Sequence, residues 1–414
     1  MPCAQRCPVK LIEQAKERIA PYYTPMEAVV LANQEKVLRA FHAAKVASHS
    51  FGEATGYGYA DPGRETLEEV YRHVFKAEAA LCRPQIVSGT HAISICLSIL
   101  EPGDELVSAS GPPYDTLQAV IGTRGSSPRS LVKRGISYRE IPLLPTGHLD
   151  LEAIGKQITP KTKMAIFQRS RGYSWRSSLS IADLAAGIKA VREANPDCIV
   201  FVDNCYGEFV EVFEPLEAGA DLIAGSLIKN PGGALAVSGG YIAGRTDLVG
   251  LCAEILTAPS LAGRLGSSFG LARSLLQGLF LAPHLVGEAI YGALLAAEVF
   301  RSLGYEVAPL PEEPRTDIVQ AIKFRSREEL LSFCRGIQKA APVDAHYLPV
   351  PSLMPGYVDE VVMAGGTFIQ GSSIELSADG PLREPYIGYL QGGMSRQHVE
   401  IALRFVLREM GLAD

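Results

Sequence analysis

Three residue types in this 414-residue chain stand where they can do chemistry together. Lys229 lies in Ser226-Leu227-Ile228-Lys229-Asn230-Pro231-Gly232-Gly233. Asp203 closes the apolar run Cys198-Ile-Val-Phe-Val-Asp203, and Ser88-Gly89-Thr90-His91 follows another, Gln85-Ile-Val. A buried lysine is partly deprotonated and attacks carbonyls. A carboxylate keeps a ring nitrogen protonated. A helix that opens at Ser88-Gly89-Thr90 offers free amides and a positive dipole end to an anion. Pyridoxal 5'-phosphate requires this set: a lysine for a covalent imine, an acid opposite the pyridine nitrogen, and donors for the phosphate.

Further residues fall into the same plan. Ser226, three positions before Lys229, adds a hydroxyl for the phosphate. Tyr114, after Gly111-Pro112-Pro113, is suited to stack on the ring or move protons, with His91 as its rival. Gln168 opens a polar, aromatic loop, Gln168-Arg-Ser-Arg-Gly-Tyr-Ser-Trp-Arg176, which is read equally as a cofactor contact or an interface. Arg383 has the planar guanidinium that grips a carboxylate with two parallel bonds. Each has an ordinary alternative: a surface lysine, a turn aspartate, a helix cap, a core tyrosine, a solvated arginine.

These residues need elements that bring them to one edge. Strands are predicted at Gln85–Ser88, Glu105–Ser110, Ser137–Pro142, Lys163–Gln168, Cys198–Asp203, Leu222–Ala224 and Tyr241–Gly244. Helices alternate with them at Thr90–Leu100, Asp115–Ile121 and Ile181–Ala194, after a helix over Arg64–Ala80. Such alternation specifies a mostly parallel sheet covered on both faces. Its ligands bind past the carboxyl ends of the strands, where Ser88, Tyr114, Gln168, Asp203 and Ser226 all fall. Two helices, 9–20 and 26–47, form an amino-terminal arm. Strands at Tyr305–Ala308, Ile318–Phe324 and Ser373–Ser377 and helices at Arg327–Ala340 and Ser395–Met410 suit a smaller α+β unit. The expected division is an arm over 1–50, a large α/β domain over 51–295 and a small domain over 296–414.

Composition sets the class. The chain is 47% hydrophobic and 20% charged, an ordinary globular balance, and its net charge of −6 argues against nucleic acid or an anionic membrane as partner. No signal peptide is visible, and the apolar stretch Leu275–Phe300 carries Gln277, Pro283, His284, Glu288 and Glu298, so it reads as a buried or interface helix. Eight scattered cysteines without a C-x-x-C pair fit a reduced, cytoplasmic protein. Cys3 and Cys7 are the nearest approach to a metal site and have no histidine beside them, so no metal is expected.

The chain resembles the fold-type-I pyridoxal-phosphate enzymes of cysteine and methionine metabolism, close to the aluminium resistance protein or methionine γ-lyase-like family. The matching segments are Thr55-Gly-Tyr-Gly-Tyr59, Gln85-Ile-Val-Ser-Gly-Thr-His-Ala-Ile93, Pro113-Tyr-Asp-Thr-Leu117, Gln168 to Arg176, Gly225 to Gly233 and Ile374-Glu-Leu-Ser-Ala-Asp-Gly-Pro-Leu-Arg383. The resemblance implies a mostly parallel seven-stranded sheet sandwiched by helices. It also implies a homotetramer of tight dimers with shared active sites, in which Tyr57, or alternatively Tyr59, reaches the neighbour's phosphate, and it makes Arg383 the substrate clamp. The implied activity is elimination of a side-chain leaving group from an L-amino acid, a carbon–sulfur γ- or β-lyase on methionine, cystathionine or cysteine-like substrates, with the γ reaction favoured and Lys229, Tyr114 and Tyr57 as proton carriers. Elimination of a halide in specialised metabolism, transamination, and a non-catalytic regulatory role are the alternatives. Two segments depart from the family pattern, Gly233-Ala-Leu-Ala-Val-Ser238 and Ala258 to Gly266, and both bear on the substrate.

Overall fold

The computed structural model describes residues 8–412, so Cys3 and Cys7 lie outside the described residues. Helix α1 (Pro8–Ala43) is continuous where two helices were expected. Pro21 and Pro25 each remove an intrahelical donor and disfavour a helix locally. Packing outweighs them. Tyr23, between the two prolines, is buried with its ring edge-on to Tyr291 at 5.1 Å, and its hydroxyl accepts from Arg396 Nη2 at 2.9 Å.

Helix α2 (Pro62–Val74) starts where Asp61 accepts from the Arg64 amide at 2.9 Å and proline occupies the first turn. It stops short of the predicted Ala80. Residues 79–83 instead form strand β1 (Ala79–Arg83), and Gln85–Ser88, expected as the strand, is the turn leading into α3 (Gly89–Leu97). Pairing with a distant strand decides this, and no local pattern reveals it.

The chain then runs through β2 (Glu105–Ser108), α4 (Asp115–Ile121), β3 (Ser137–Glu140), α5 (Leu151–Gln157), β4 (Thr162–Gln168) and α6 (Ile181–Ala194). Ser180 caps α6, as its sequence predicts. Next come β5 (Ile199–Asp203), β6 (Leu222–Ser226), β7 (Gly240–Gly244), α7 (Thr246–Leu256) and α8 (Ala272–Ser302). The seven strands form one sheet in the order β1-β7-β6-β5-β4-β2-β3, parallel except that β7 runs against both its neighbours.

Strand periodicity builds both cores. On β5, Ile199 and Phe201 join a cluster with α3, α4 and α7, while Val200 and Val202 face a larger one with α2, α6 and α8. The 31-residue α8 is apolar and long enough to cross a membrane by composition, but most of it is packed inside the molecule.

Beyond α8 lie β8 (Glu306–Ala308), β9 (Val319–Lys323), α9 (Arg327–Lys339), β10 (Ser352–Leu353), β11 (Glu360–Ala364), β12 (Ser377–Pro381), β13 (Ile387–Gln391) and α10 (Arg396–Glu409). Their strands form an antiparallel sheet, β10-β11-β12-β13-β9-β8. The strand expected at Ser373–Ser377 begins at Ser377. Ile374–Leu376 is a buried loop in which the Glu375 carboxylate accepts from the Phe368 and Ile369 amides at 2.8 and 3.0 Å.

Candidate active site

Asp203, Gln168 and Ser226 are the last residues of β5, β4 and β6, and parallel pairing sets Gln168 beside Asp203. One edge of the sheet therefore carries an acid, an amide and a hydroxyl. Four residues past Ser226 the chain turns through a short 3-10 segment, Asn230–Gly232, with Lys229 immediately before it. Gly233 has φ +52, and a Cβ there would come within 2.0 Å of the Gly278 carbonyl oxygen on α8. Only glycine allows this close approach, which seats the lysine turn directly on the helix.

These residues surround a cavity of about 710 Å³ between the two sheets, within the ordinary range for ligand sites. Lys229, Asp203, Ser88, Gly89, Thr90, Tyr114, Gln168 and Ser226 all line it. The Lys229 Nζ sits 3.9 Å from the centre of the Tyr206 ring. Tyr206 has a positive φ of 70, a strained backbone for a tyrosine.

Burial pushes the Lys229 amine down, but Cys205, Tyr206, Asp203 and Tyr114 together outweigh it and hold the amine well above its ordinary value. Burial raises the Cys205 thiol and the Tyr206 phenol, so both are neutral near pH 7. Asp203 is the carboxyl among these partners of the amine. Its own carboxyl is raised by burial, with Lys229 the largest opposing pull and the Cys205 amide donating to Oδ1 at 3.1 Å.

The start of α3 leaves its first amides without intrahelical partners. Ser88 caps the helix by accepting from the His91 amide at 3.1 Å, and the first intrahelical bond runs from the Ala92 amide to the Ser88 carbonyl. The Gly89 and Thr90 amides precede that bond. A Cβ on Gly89 would stand 3.2 Å from both Cys205 Sγ and Ser226 Cβ, so the glycine keeps this cradle open. Thr90 Oγ1 lies 3.0 Å from the Tyr114 hydroxyl. The donor set, the buried acid and the lysine amine inside one cavity fit pyridoxal 5'-phosphate.

The other residues singled out from sequence are placed less uniformly. The Gln168 amide spans two loops, accepting from the Tyr114 amide at 2.8 Å and donating to the Ser170 carbonyl at 2.9 Å. His91 Nδ1 accepts from the Val87 amide at 3.2 Å and is not part of the cavity lining. Tyr57 and Tyr59 are 71% and 62% exposed in the protomer and stand away from its cavity. Arg383 pairs with Asp359 Oδ2 at 2.7 Å and lines an adjoining depression that shares Tyr114, Asp115 and Tyr173 with the cavity. In the Gln168–Arg176 loop, Ser170, Gly172 and Tyr173 line the cavity, while Arg169 is buried against Asn204 and Glu211. Of the two departing segments, Ala258–Gly266 supplies the Gly263 and Leu265 carbonyls to the Arg83 guanidinium.

Sequence reasoning missed the wall contributed by the second sheet, Ser377, Asp379, Tyr389 and Gln391, and by the loops beside it, Tyr357 and Ser373. The period-two placing of Ser377 and Asp379 was the available signal, hidden by the misplaced strand.

The two-sheet architecture with a lysine–acid cleft at the strand edge is that of a fold-type-I pyridoxal-phosphate enzyme, and as a fold alone it is shared with distant chains at TM-scores of 0.58 and 0.59. The chain belongs to the methionine gamma-lyase family, whose model matches residues 8–411, and is thereby a lyase relative of the carbon–sulfur type. It is 46% identical to the uncharacterized protein YnbB of Bacillus subtilis over 396 residues, 95% of this chain and 94% of that protein. A solved structure from Listeria monocytogenes, provisionally described as a cystathionine beta-lyase involved in aluminum resistance, is 49% identical with a TM-score of 0.94, covering 97% of this chain and 99% of that one. A carbon-sulfur lyase involved in aluminum resistance from Clostridium novyi is 44% identical with a TM-score of 0.93, covering 97% and 95%.

Proposed function

We propose that the protein is a pyridoxal-phosphate-dependent lyase that eliminates a side-chain leaving group, by preference a thiol, from an L-amino acid. One observation carries the reading: the Lys229 amine and the Asp203 carboxyl share a cavity with the open N-terminus of α3. Lys229 would hold the cofactor covalently, Asp203 its ring nitrogen, Tyr114 its ring face, and the α3 amides with Thr90 and Ser226 its phosphate. When bound, the cofactor supplies the electron sink that makes the substrate's α C–H acidic.

The chain's own groups do the rest. Lys229 takes the α-proton as general base, and for a γ-leaving group it also moves a β-proton. Tyr206 packs over the amine and limits where it can swing. Arg383 grips the substrate carboxylate. Support for that role is its place beside Tyr114 and Tyr173; its present partner Asp359 must release it first. Tyr57, with Tyr59 as alternative, completes the phosphate site of a neighbouring subunit in a dimer-based oligomer. Their exposure in the protomer is compatible with that role.

The test is the keto acid formed from L-methionine, L-cystathionine, L-cysteine and a γ-chloro amino acid in turn, with Lys229→Ala as control. 2-Oxobutyrate, or an unsaturated analogue, from a γ-substituted substrate establishes γ-elimination. Pyruvate alone establishes β-elimination. A bound chromophore bleached by borohydride without any keto acid would sink the lyase reading.

A further inference from the structure

The chemistry above leaves one wall of the cavity unused. On β12, Ser377 and Asp379 both line the cavity from the second sheet, whereas Lys229 enters from the first. Asp379 is 9% exposed. Its Oδ2 accepts from Gln391 Nε2 on β13 at 3.1 Å, and its Oδ1 has no partner in hydrogen-bonding geometry, the Tyr173 hydroxyl being a polar neighbour of the carboxyl. The hydroxyls of Ser372, Ser373 and Ser377, buried on the same wall, are also without partners. Buried polar atoms left unpaired are costly, so such a cluster at a ligand cavity is kept for what enters it.

We propose that Asp379 is the proton donor to the leaving group, with Gln391 as the positioning residue that holds its carboxyl. The inference rests on the lyase reading. Asp379 is a buried acid lining the same cavity as Lys229, near enough for the amine to pull on its carboxyl, and so within reach of the side chain of a substrate bound at that amine. The carboxyl is also poised for the task. Burial pushes it up to about 7, against the pull of the Tyr173 hydroxyl, Gln391 and Lys229. The other titratable groups facing it, Tyr206, Tyr357, Tyr389 and Cys334, are raised by burial and stay neutral through that range. Tyr114, the rival donor, is pushed far up by burial and is the weaker acid.

The step balances. In β-elimination the α C–H bond breaks, its proton goes to the Lys229 amine, and its electron pair forms the new carbon–carbon double bond. The carbon–sulfur bond breaks with its pair on sulfur, which takes the Asp379 proton and leaves as a thiol. Asp379 is then an anion and Lys229 an ammonium, and transfer of one proton from lysine to aspartate through solvent restores both. In the γ reaction a β proton is also removed, its electron pair expels the thiolate from the γ carbon, and that second proton is returned to the γ carbon, so two protons leave carbon, one goes to carbon and one to sulfur.

The experiment compares S-alkyl with S-nitrophenyl derivatives of cysteine and homocysteine on the holoenzyme. An alkyl thiolate needs protonation to leave; a nitrophenyl thiolate does not. Asp379→Asn is expected to lower kcat roughly 100-fold or more for alkyl substrates and to change it little for nitrophenyl ones. Wild-type kcat on alkyl substrates falls as pH rises through about 7, and the variant loses that limb. Asp379→Glu restores part of the alkyl rate. Equal losses on both substrates, or an unaltered Asp379→Asn enzyme, overturn the donor role while leaving the lyase reading intact. A wild-type enzyme that cleaves none of the four overturns the lyase reading itself. Independently of turnover, 13C NMR of labelled aspartate should show a carboxyl titrating near neutrality that Asp379→Asn removes, and its absence overturns the inference.

Discussion

At the scale of single residues, the Lys229–Asp203 pair governs reactivity. After Cys205 and Tyr206, Asp203 is the carboxyl that helps hold the Lys229 amine above its ordinary value. Replacing it with asparagine removes that hold while burial, which lowers the amine, remains. Asp203→Asn is therefore expected to shift the pH profile of Lys229 labelling by an amine-selective reagent to lower pH in the cofactor-free chain, while abolishing keto-acid formation. An unshifted labelling profile would refute the coupling. Glu208 offers a second test beneath the site. Burial pushes its carboxyl up to about 8, and its Oε1 accepts from the Tyr241 hydroxyl at 2.9 Å. Its folded value is raised, so the fold binds this proton more tightly than the unfolded chain does. The stability it contributes is full below the unfolded value near 4.5 and is lost as pH rises through about 8. Glu208→Gln should flatten the decline in unfolding free energy between pH 5 and 8.5, a slope that one group sets at up to about 1.4 kcal/mol per pH unit. Denaturant titrations at the two pH values measure it.

At the scale of elements, the site depends on two close approaches made by glycine. The helix α8 glycine, Gly278, faces the lysine turn so closely that a Cβ on it would stand 2.1 Å from the Gly232 carbonyl oxygen. Backbone cannot give way there as a flexible side chain would. Gly278→Ala should cost about 2 kcal/mol or more in urea unfolding and should displace Lys229, seen as weaker cofactor incorporation. Gly89→Ala is milder, since its Cβ would meet Cys205 and Ser226 side chains at 3.2 Å. It should leave the unfolding midpoint nearly unchanged and weaken phosphate-cofactor binding roughly tenfold, about 1.4 kcal/mol. A variant that binds the cofactor normally would show that the α3 cradle is not its phosphate site.

At the scale of the whole molecule, Tyr57 and Tyr59 are apolar surface in one protomer, their rings 5.5 Å apart on a loop docked by the Gly266 amide to the Tyr57 carbonyl. Shared sites would place them in a neighbour's cavity. Lys229→Ala and Tyr57→Phe chains, each impaired alone, should then regain activity when dissociated and mixed, because one site of a mixed dimer carries neither defect. Absence of rescue in mixed dimers of verified composition counts against the shared site.

The sequence by itself determined the parallel framework and the residues at its edge. Apolar runs ending in Gln168, Asp203 and Ser226 report burial on both faces, and capping chemistry at Ser88 and Ser180 reports helix starts; both are local properties written in the residues concerned. Tertiary structure decided what depends on distant partners. Tyr23 packing kept α1 whole across two prolines, pairing with β7 moved β1 upstream of its predicted place, and pairing with β11 and β13 moved β12 downstream. That last shift brought Asp379 into the cavity. Its role in the site depends on contacts across the space between two sheets, which no spacing along one chain encodes.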